Sequence, residues 1–187
     1  MKFNRALLCV AFVCVAGVCC GADQLPETLF LKESPEKASN VGELKKTAKE
    51  GDEVVLRGQI GGQAKDVFNK SRATLMLADM KLVPCNKMPG DTCETPWDFC
   101  CVAANEKNAN LAVIQIVDEK GKLIKTSLKS ANGMDHLSVI VVKGKVNKSD
   151  GKNLVVNATG IYVEPKEVKT DAAKPADAAK PAEPAKK

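Results

Sequence analysis

The chain has 187 residues with a formal net charge of +5, and 44% of it is hydrophobic but only 4% aromatic. That length holds one domain of ordinary size plus tails. The charge is mild, and Phe30, Phe68, Trp97, Phe99 and Tyr162 are too few and too scattered for a platform on which bases stack, so nucleic acid is not an expected partner.

Lys2 and Arg5 precede an apolar run from Ala6 to Val18, followed by the small residues Cys19, Cys20, Gly21 and Ala22. This pattern predicts a signal peptide over residues 1–22, with Cys20 and Ala22 at a small-x-small cleavage site and a mature start at Asp23. The apolar run is 13 residues long, short of the roughly 20 that a bilayer needs, so no transmembrane span is expected in the mature chain. Lipidation at Cys19 or Cys20 is the competing outcome and would leave a lipid anchor. Cleavage removes Cys9, Cys14, Cys19 and Cys20, and it lowers the charge from +5 to +3 as Lys2 and Arg5 leave. The implied location is periplasmic or secreted, in a bacterium. Four cysteines remain there, an even number that favours disulfides in an oxidising compartment.

Residues 23–50 read as a polar lead-in and a short helix. Val41 to Lys49 is the helix, with Asn40 at the N-cap, Glu43 at N3, and Gly51 as the stop. Its apolar face is Val41, Leu44 and Ala48, while Lys45, Lys46 and Lys49 are expected in water. Residues 51–163 then read as short strands. Asp52 to Gly61 alternates Val54, Leu56, Gly58 and Ile60 on one face, and Gly58, Gly61 and Gly62 predict a bent strand with bulges. Ala73 to Asp79, Leu111 to Val117, Lys122 to Leu128, Leu137 to Val146 and Leu154 to Val163 follow. Gly133 to Leu137 reads as one helical turn, and Ser149, Asp150 and Gly151 as a hairpin turn. From 164 to 187 the chain is an Ala/Lys/Pro tail, with the repeat at Asp171 and Asp177, expected to be disordered because it has no large apolar residue to bury.

This is an all-β fold with one short N-terminal helix: a small barrel of five or six strands, with an open sandwich as the competitor. Residues 80–105 form a cysteine-rich insertion. Val41 to Ile60, and Val139 to Val146 with its following hairpin, resemble the corresponding parts of bacterial exported OB-fold domains. The stretch from Met88 to Cys101, with Thr95, Pro96, Trp97, Asp98, Phe99, Cys100 and Cys101, resembles a group of uncharacterised exported proteins of planctomycete-type bacteria. The resemblance spans roughly residues 41–163. It implies an OB-like barrel in an exported protein, and it implies no activity.

The insertion carries Cys85, Cys93, Cys100 and Cys101 at the spacing C-x7-C-x6-C-C. Thr95, Pro96 and Asp98 read as the cap, N1 and N3 of a helical turn carrying Phe99, Cys100 and Cys101, with Trp97 on the cysteine face. Two structural disulfides are the leading expectation. Bonding Cys100 to Cys101 would need a strained ring, so Cys85 and Cys93 would each take one of that pair. A bond closing a loop of this length is worth roughly 3 kcal/mol. The alternative is a metal site on the same four thiolates, zinc or a softer ion, against which stand the absence of C-x2-C knuckles and the oxidising compartment. A thiol-exchange role lacks a C-x-x-C and a neighbouring histidine. Asp91, Glu94 and Asp98 match no calcium loop and are expected to cap turns or face water.

No group pairs a nucleophile with a base and an orienter, and His136 reads as a surface residue. Gly58, Gly61 and Gly62 lie in a strand with no helix after them, so they make no phosphate loop. The expectation is a non-enzymatic exported binding or interaction module without a cofactor. Its partner would be an envelope protein or polymer, with Trp97 and Phe99 as candidate contacts. A cysteine-based metal or redox protein of the envelope is the alternative.

Overall fold

The computed structural model describes residues 24–62 and 66–166. The signal peptide, both candidate lipidation sites and the tail from residue 167 lie outside the described residues. Six strands form one sheet: β1 (Ser39–Asn40), β2 (Glu53–Ile60), β3 (Thr74–Ala78), β4 (Leu111–Gln115), β5 (Val139–Ser149) and β6 (Leu154–Val163). Two helices accompany them, α1 (Val41–Thr47) and α2 (Ala104–Ala109). Among the described residues no helix is long and apolar enough to cross a membrane.

Five of the strands close a barrel. β2 pairs antiparallel with β5 from Glu53↔Lys145 to Gln59↔Val139, then with β3 at Gln59↔Ala78 and Ile60↔Leu77. β3 pairs antiparallel with β4, β4 runs parallel to β6, and β6 returns antiparallel to β5. The circuit β2-β3-β4-β6-β5-β2 is that of a small OB-like barrel, with β1 added parallel to β2 outside it. Closure leaves the barrel strands no free edge, which is how such sheets avoid edge-to-edge pairing. The alternation read in the sequence decides which side chains go in. Val54, Leu56 and Ile60 from β2, Ile140, Val142 and Val146 from β5, and Leu154, Val156 and Ile161 from β6 fill the interior.

The bulges expected in β2 do not show in its pairings with β3 and β5. The register shifts fall in the β5–β6 pair, between Lys143 and Gly144 and between Val146 and Lys148. The strand expected over Lys122 to Leu128 does not form; the segment holds only an isolated bridge, Val117↔Leu123, while Ile124 and Leu128 drop into the core. Its ladder stops because the available partners are few: Ile124 N–H donates to Ile116 O at 3.1 Å, and Ala73 N–H donates to Ile124 O at 2.8 Å. The helical turn expected at Gly133 to Leu137 sits earlier, as a 3-10 turn over Ala131–Gly133.

α1 is shorter than expected and is capped differently. Asn40 is extended and makes no side-chain cap. The Gly42 N–H instead donates to Asp79 Oδ2 at 2.8 Å, so a carboxylate from the end of β3 serves one of the orphan donors of the helix start. Lys45, expected in water, is buried. Its ammonium donates to Asn108 O and, at 2.8 Å, to Leu111 O. Burial holds the Lys45 pKa below the ordinary lysine value, with Asp150 pulling weakly the other way.

A cysteine cluster on the β3–β4 excursion

The cysteine-rich insertion is the connection from β3 to β4. Its two ends meet: Asp79 N–H donates to Asn110 O at 2.9 Å, and Ala78, Leu82, Phe99 and Leu111 form a satellite apolar cluster. Gln59, on β2, reaches across to donate its Nε2–H to Leu82 O at 2.5 Å. α2, which the composition of its segment did not suggest, covers the return leg before β4.

Two 3-10 turns shape the excursion, Cys85–Lys87 and Pro96–Asp98. The expected helical turn carrying Phe99, Cys100 and Cys101 ends at Asp98, because Phe99 takes a left-handed backbone at φ 52° and ψ 45°. That conformation costs an L-residue about 1–2 kcal/mol. It coincides with a sharp change in direction: Phe99 is wholly buried, while Cys100 and Cys101 next to it are exposed. Phe99 is therefore a core residue, which corrects its expected role as a partner contact. Its burial is offset against the backbone strain, since a fully buried Phe is worth about 1.5–3 kcal/mol.

The excursion is pressed onto the end of β2. Gly62 N–H donates to Trp97 O at 2.8 Å. A Cβ on Gly61 would lie 2.7 Å from Phe99 Cε2 and 2.8 Å from Trp97 O, so only glycine allows this approach. Trp97 is half-buried and packs on the main core. Its ring stacks on His136 with centroids 3.9 Å apart and planes 13° from parallel, and His136 meets the edge of Phe68. His136 is thus part of the contact between excursion and barrel, not a free surface residue. Its Nδ1 lies 3.3 Å from Asp135 Oδ1, and its Nε2 is enclosed without a hydrogen-bond partner among the described residues.

All four cysteines converge. Cys100 Sγ lies 3.3 Å from Cys85 Sγ, 3.7 Å from Cys93 Sγ and 3.8 Å from Cys101 Sγ. These are free thiols in contact, well beyond the roughly 2.05 Å of a disulfide. Two aspartates set the backbone: Cys93 N–H donates to Asp91 Oδ1 at 2.6 Å, and Cys100 N–H donates to Asp98 Oδ1 at 2.8 Å. Each is an aspartate two residues before a cysteine, the turn in which an Asx side chain takes the i+2 amide. This repeated D-x-C was legible in the sequence and marks both aspartates as part of the cluster. Glu94 is exposed.

The donors fall into two overlapping sets that share Cys85. Cys85, Cys93, Asp98 and Cys100 each offer an atom within 4.8 Å of the others, and so do Cys85, Asp91 and Cys101. Burial pushes the Cys85 thiol up, but the Cys101 backbone N–H and the Cys100, Cys101 and Cys93 thiols outweigh it and hold Cys85 below the ordinary thiol value. Hydrogen bonding to Cys85 raises both Cys100 and Cys101, and Cys93 adds to the rise at Cys100. The contacts thus favour ionisation at Cys85 over Cys100 and Cys101. No family model, curated protein or solved structure matches the chain. Its class is therefore read from the molecule itself: an OB-like barrel bearing a four-thiol cluster on one connection.

Proposed function

We propose that this chain is a non-enzymatic metal-binding module of the bacterial envelope. A single zinc ion, or an ion of similar softness, would be held by Cys85, Cys93 and Cys100, with Cys101 or Asp98 in the fourth place. The observation that carries this reading is the position of Cys100 Sγ, 3.3, 3.7 and 3.8 Å from the other three sulfurs. Four thiolates around zinc at about 2.3 Å stand about 3.8 Å apart along each tetrahedral edge. A sulfur can form one disulfide, whereas one ion binds four thiolates at once. A thiol in contact with three others therefore suits an ion better than two bridges. Each thiol gives up its proton on binding, and Cys85, held below the ordinary thiol value by its neighbours, gives it up most readily.

A second reading keeps the expected disulfides. The 3.3 Å contact between Cys85 and Cys100 favours it, since a small side-chain rotation brings those sulfurs to bonding distance. One experiment separates the two. The full chain is purified anaerobically without chelator, and its metal content and its mass before and after reduction are measured. The metal reading expects a single equivalent of zinc that Cys93→Ser removes, and a cobalt-substituted form with thiolate charge-transfer bands. A metal-free protein that gains four hydrogens on reduction would establish the disulfides instead.

A further inference from the structure

Resting on the metal reading above, we propose that the bound ion is transferable. It would pass by ligand exchange to a partner that presents its own thiolates, by way of Cys100 and Cys101. Three observations carry this. The first is a gradient of exposure across the four sulfurs: Cys85 is buried, Cys93 is intermediate, and Cys100 and Cys101 are exposed. An incoming thiol can therefore approach the Cys100 and Cys101 sulfurs, while the buried Cys85 sulfur is shielded from it.

The second is that Cys101 is dispensable to a four-donor shell. Cys85, Cys93, Asp98 and Cys100 already supply four donor atoms within 4.8 Å of one another, three sulfurs and one carboxylate. When Cys101 leaves, Asp98 can keep the ion four-coordinate until the acceptor's thiol arrives. The third is that a resting place for the departing thiol exists: the Cys101 S–H donates to Asp91 Oδ2 at 3.6 Å. Asp91 is held in turn by the Cys93 amide, so it is oriented before the exchange takes place.

The exchange moves no electrons. The bond from the ion to Cys101 Sγ breaks, and a bond from the ion to the acceptor sulfur forms. The proton of the acceptor thiol ends on Cys101 Sγ, carried by water. Repeating the step at Cys100 strips the exposed half of the shell and leaves Cys85 and Cys93 as the last ligands released. The partner defined by this chemistry is a protein with at least two exposed thiols close together.

The test uses the full chain loaded with zinc and an apo peptide of four cysteines that reports zinc by fluorescence. The transfer rate should climb in proportion to peptide concentration. Cys101→Ser should speed transfer by at least about fivefold, since it leaves the harder Asp98 carboxylate in the fourth place, while Cys85→Ser should leave no bound zinc to transfer. A rate independent of peptide concentration would overturn the transfer proposal and leave the metal reading standing, as would identical behaviour of Cys101→Ser and Cys85→Ser. A wild-type chain that retains no zinc would overturn both.

Discussion

Gly61→Ala tests whether the excursion is seated on the barrel as a fixed part of the fold. The added methyl would sit 2.7 Å from Phe99 Cε2 and 2.8 Å from Trp97 O, both closer than a real Cβ contact. Neither neighbour can give easily. Phe99 is wholly buried in its own cluster, and Trp97 O is backbone already accepting from Gly62 N–H. Overpacking of this kind costs about 1–3 kcal/mol, and the Gly62 hydrogen bond adds about 1 kcal/mol if it breaks. An alternative route, lifting the excursion off and exposing Phe99, costs about 1.5–3 kcal/mol in lost burial. The chain takes the cheaper response, so a loss of about 1.5–3 kcal/mol and a drop in Tm of roughly 5–15 °C are expected. Urea unfolding followed by far-ultraviolet circular dichroism gives the stability. Trp97, the only tryptophan, reports separately on the excursion, because weakening its stack on His136 shifts its emission. If Gly61→Ala unfolds at the wild-type midpoint with an unchanged Trp97 spectrum, the seating of the excursion on β2 is wrong.

Phe99→Ala should cost about 3–4 kcal/mol, as expected for a buried phenylalanine, and a surface contact would cost far less; chemical denaturation decides. Lys45→Met should cost about 1–3 kcal/mol at neutral pH, because it leaves the Leu111 carbonyl without its donor. Lys45 has a lowered folded pKa, so its contribution is fullest above the unfolded value of about 10.4 and fades as pH falls through the folded value. The wild type should thus gain on Lys45→Met as the pH of the denaturation series rises toward that limit. Arg57 pairs with Glu164 through two hydrogen bonds, of 2.6 and 2.8 Å, and these hold the Glu164 carboxyl below the ordinary value. Both side chains are partly exposed, so Glu164→Gln should cost only about 0.5–1 kcal/mol. That difference should be present above the unfolded pKa of about 4.3 and vanish as pH falls through the lower folded value.

The barrel was legible because period-2 alternation is a local signal. β6 begins at Leu154 and ends at Val163, where alternation and the flanking turn residues place it, and β2 differs from its expected bounds by one residue at each end. Features made by distant parts of the chain were not legible. Nothing local to Asn40 says that Asp79 will cap α1 in its place. Lys45 looks like a solvated lysine until the carbonyls of Asn108 and Leu111, where the excursion runs into β4, close over it. β1 is two residues long and exists only because β2 lies beside it. Lys122 to Leu128 had strand composition, but a strand needs a continuous partner, and Ile124 finds only Ala73 and Ile116. The convergence of the cysteines was readable from their number and spacing, and so was turn-capping by Asp91 and Asp98, while the approach of their carboxylates to the thiols depends on how the whole excursion folds.

The reversal at Phe99 ties the fold to the site. If the 3-10 turn at Pro96–Asp98 continued as α-helix, Phe99 and Cys100 would lie on adjacent rows of one helix, separated by only about 100°. The left-handed backbone of Phe99 instead ends the turn there and redirects the chain, and the satellite cluster of Ala78, Leu82 and Leu111 holds that reversal in place through the buried ring. Leucine at this position would keep much of the burial. Glycine would remove the backbone strain and lose the anchor. If the cluster depends on the anchor, Phe99→Gly should release the excursion and weaken zinc binding, whereas Phe99→Leu should retain both the fold and the ion. Equal zinc affinity in the two variants would mean that the thiols hold their arrangement without the barrel beneath them.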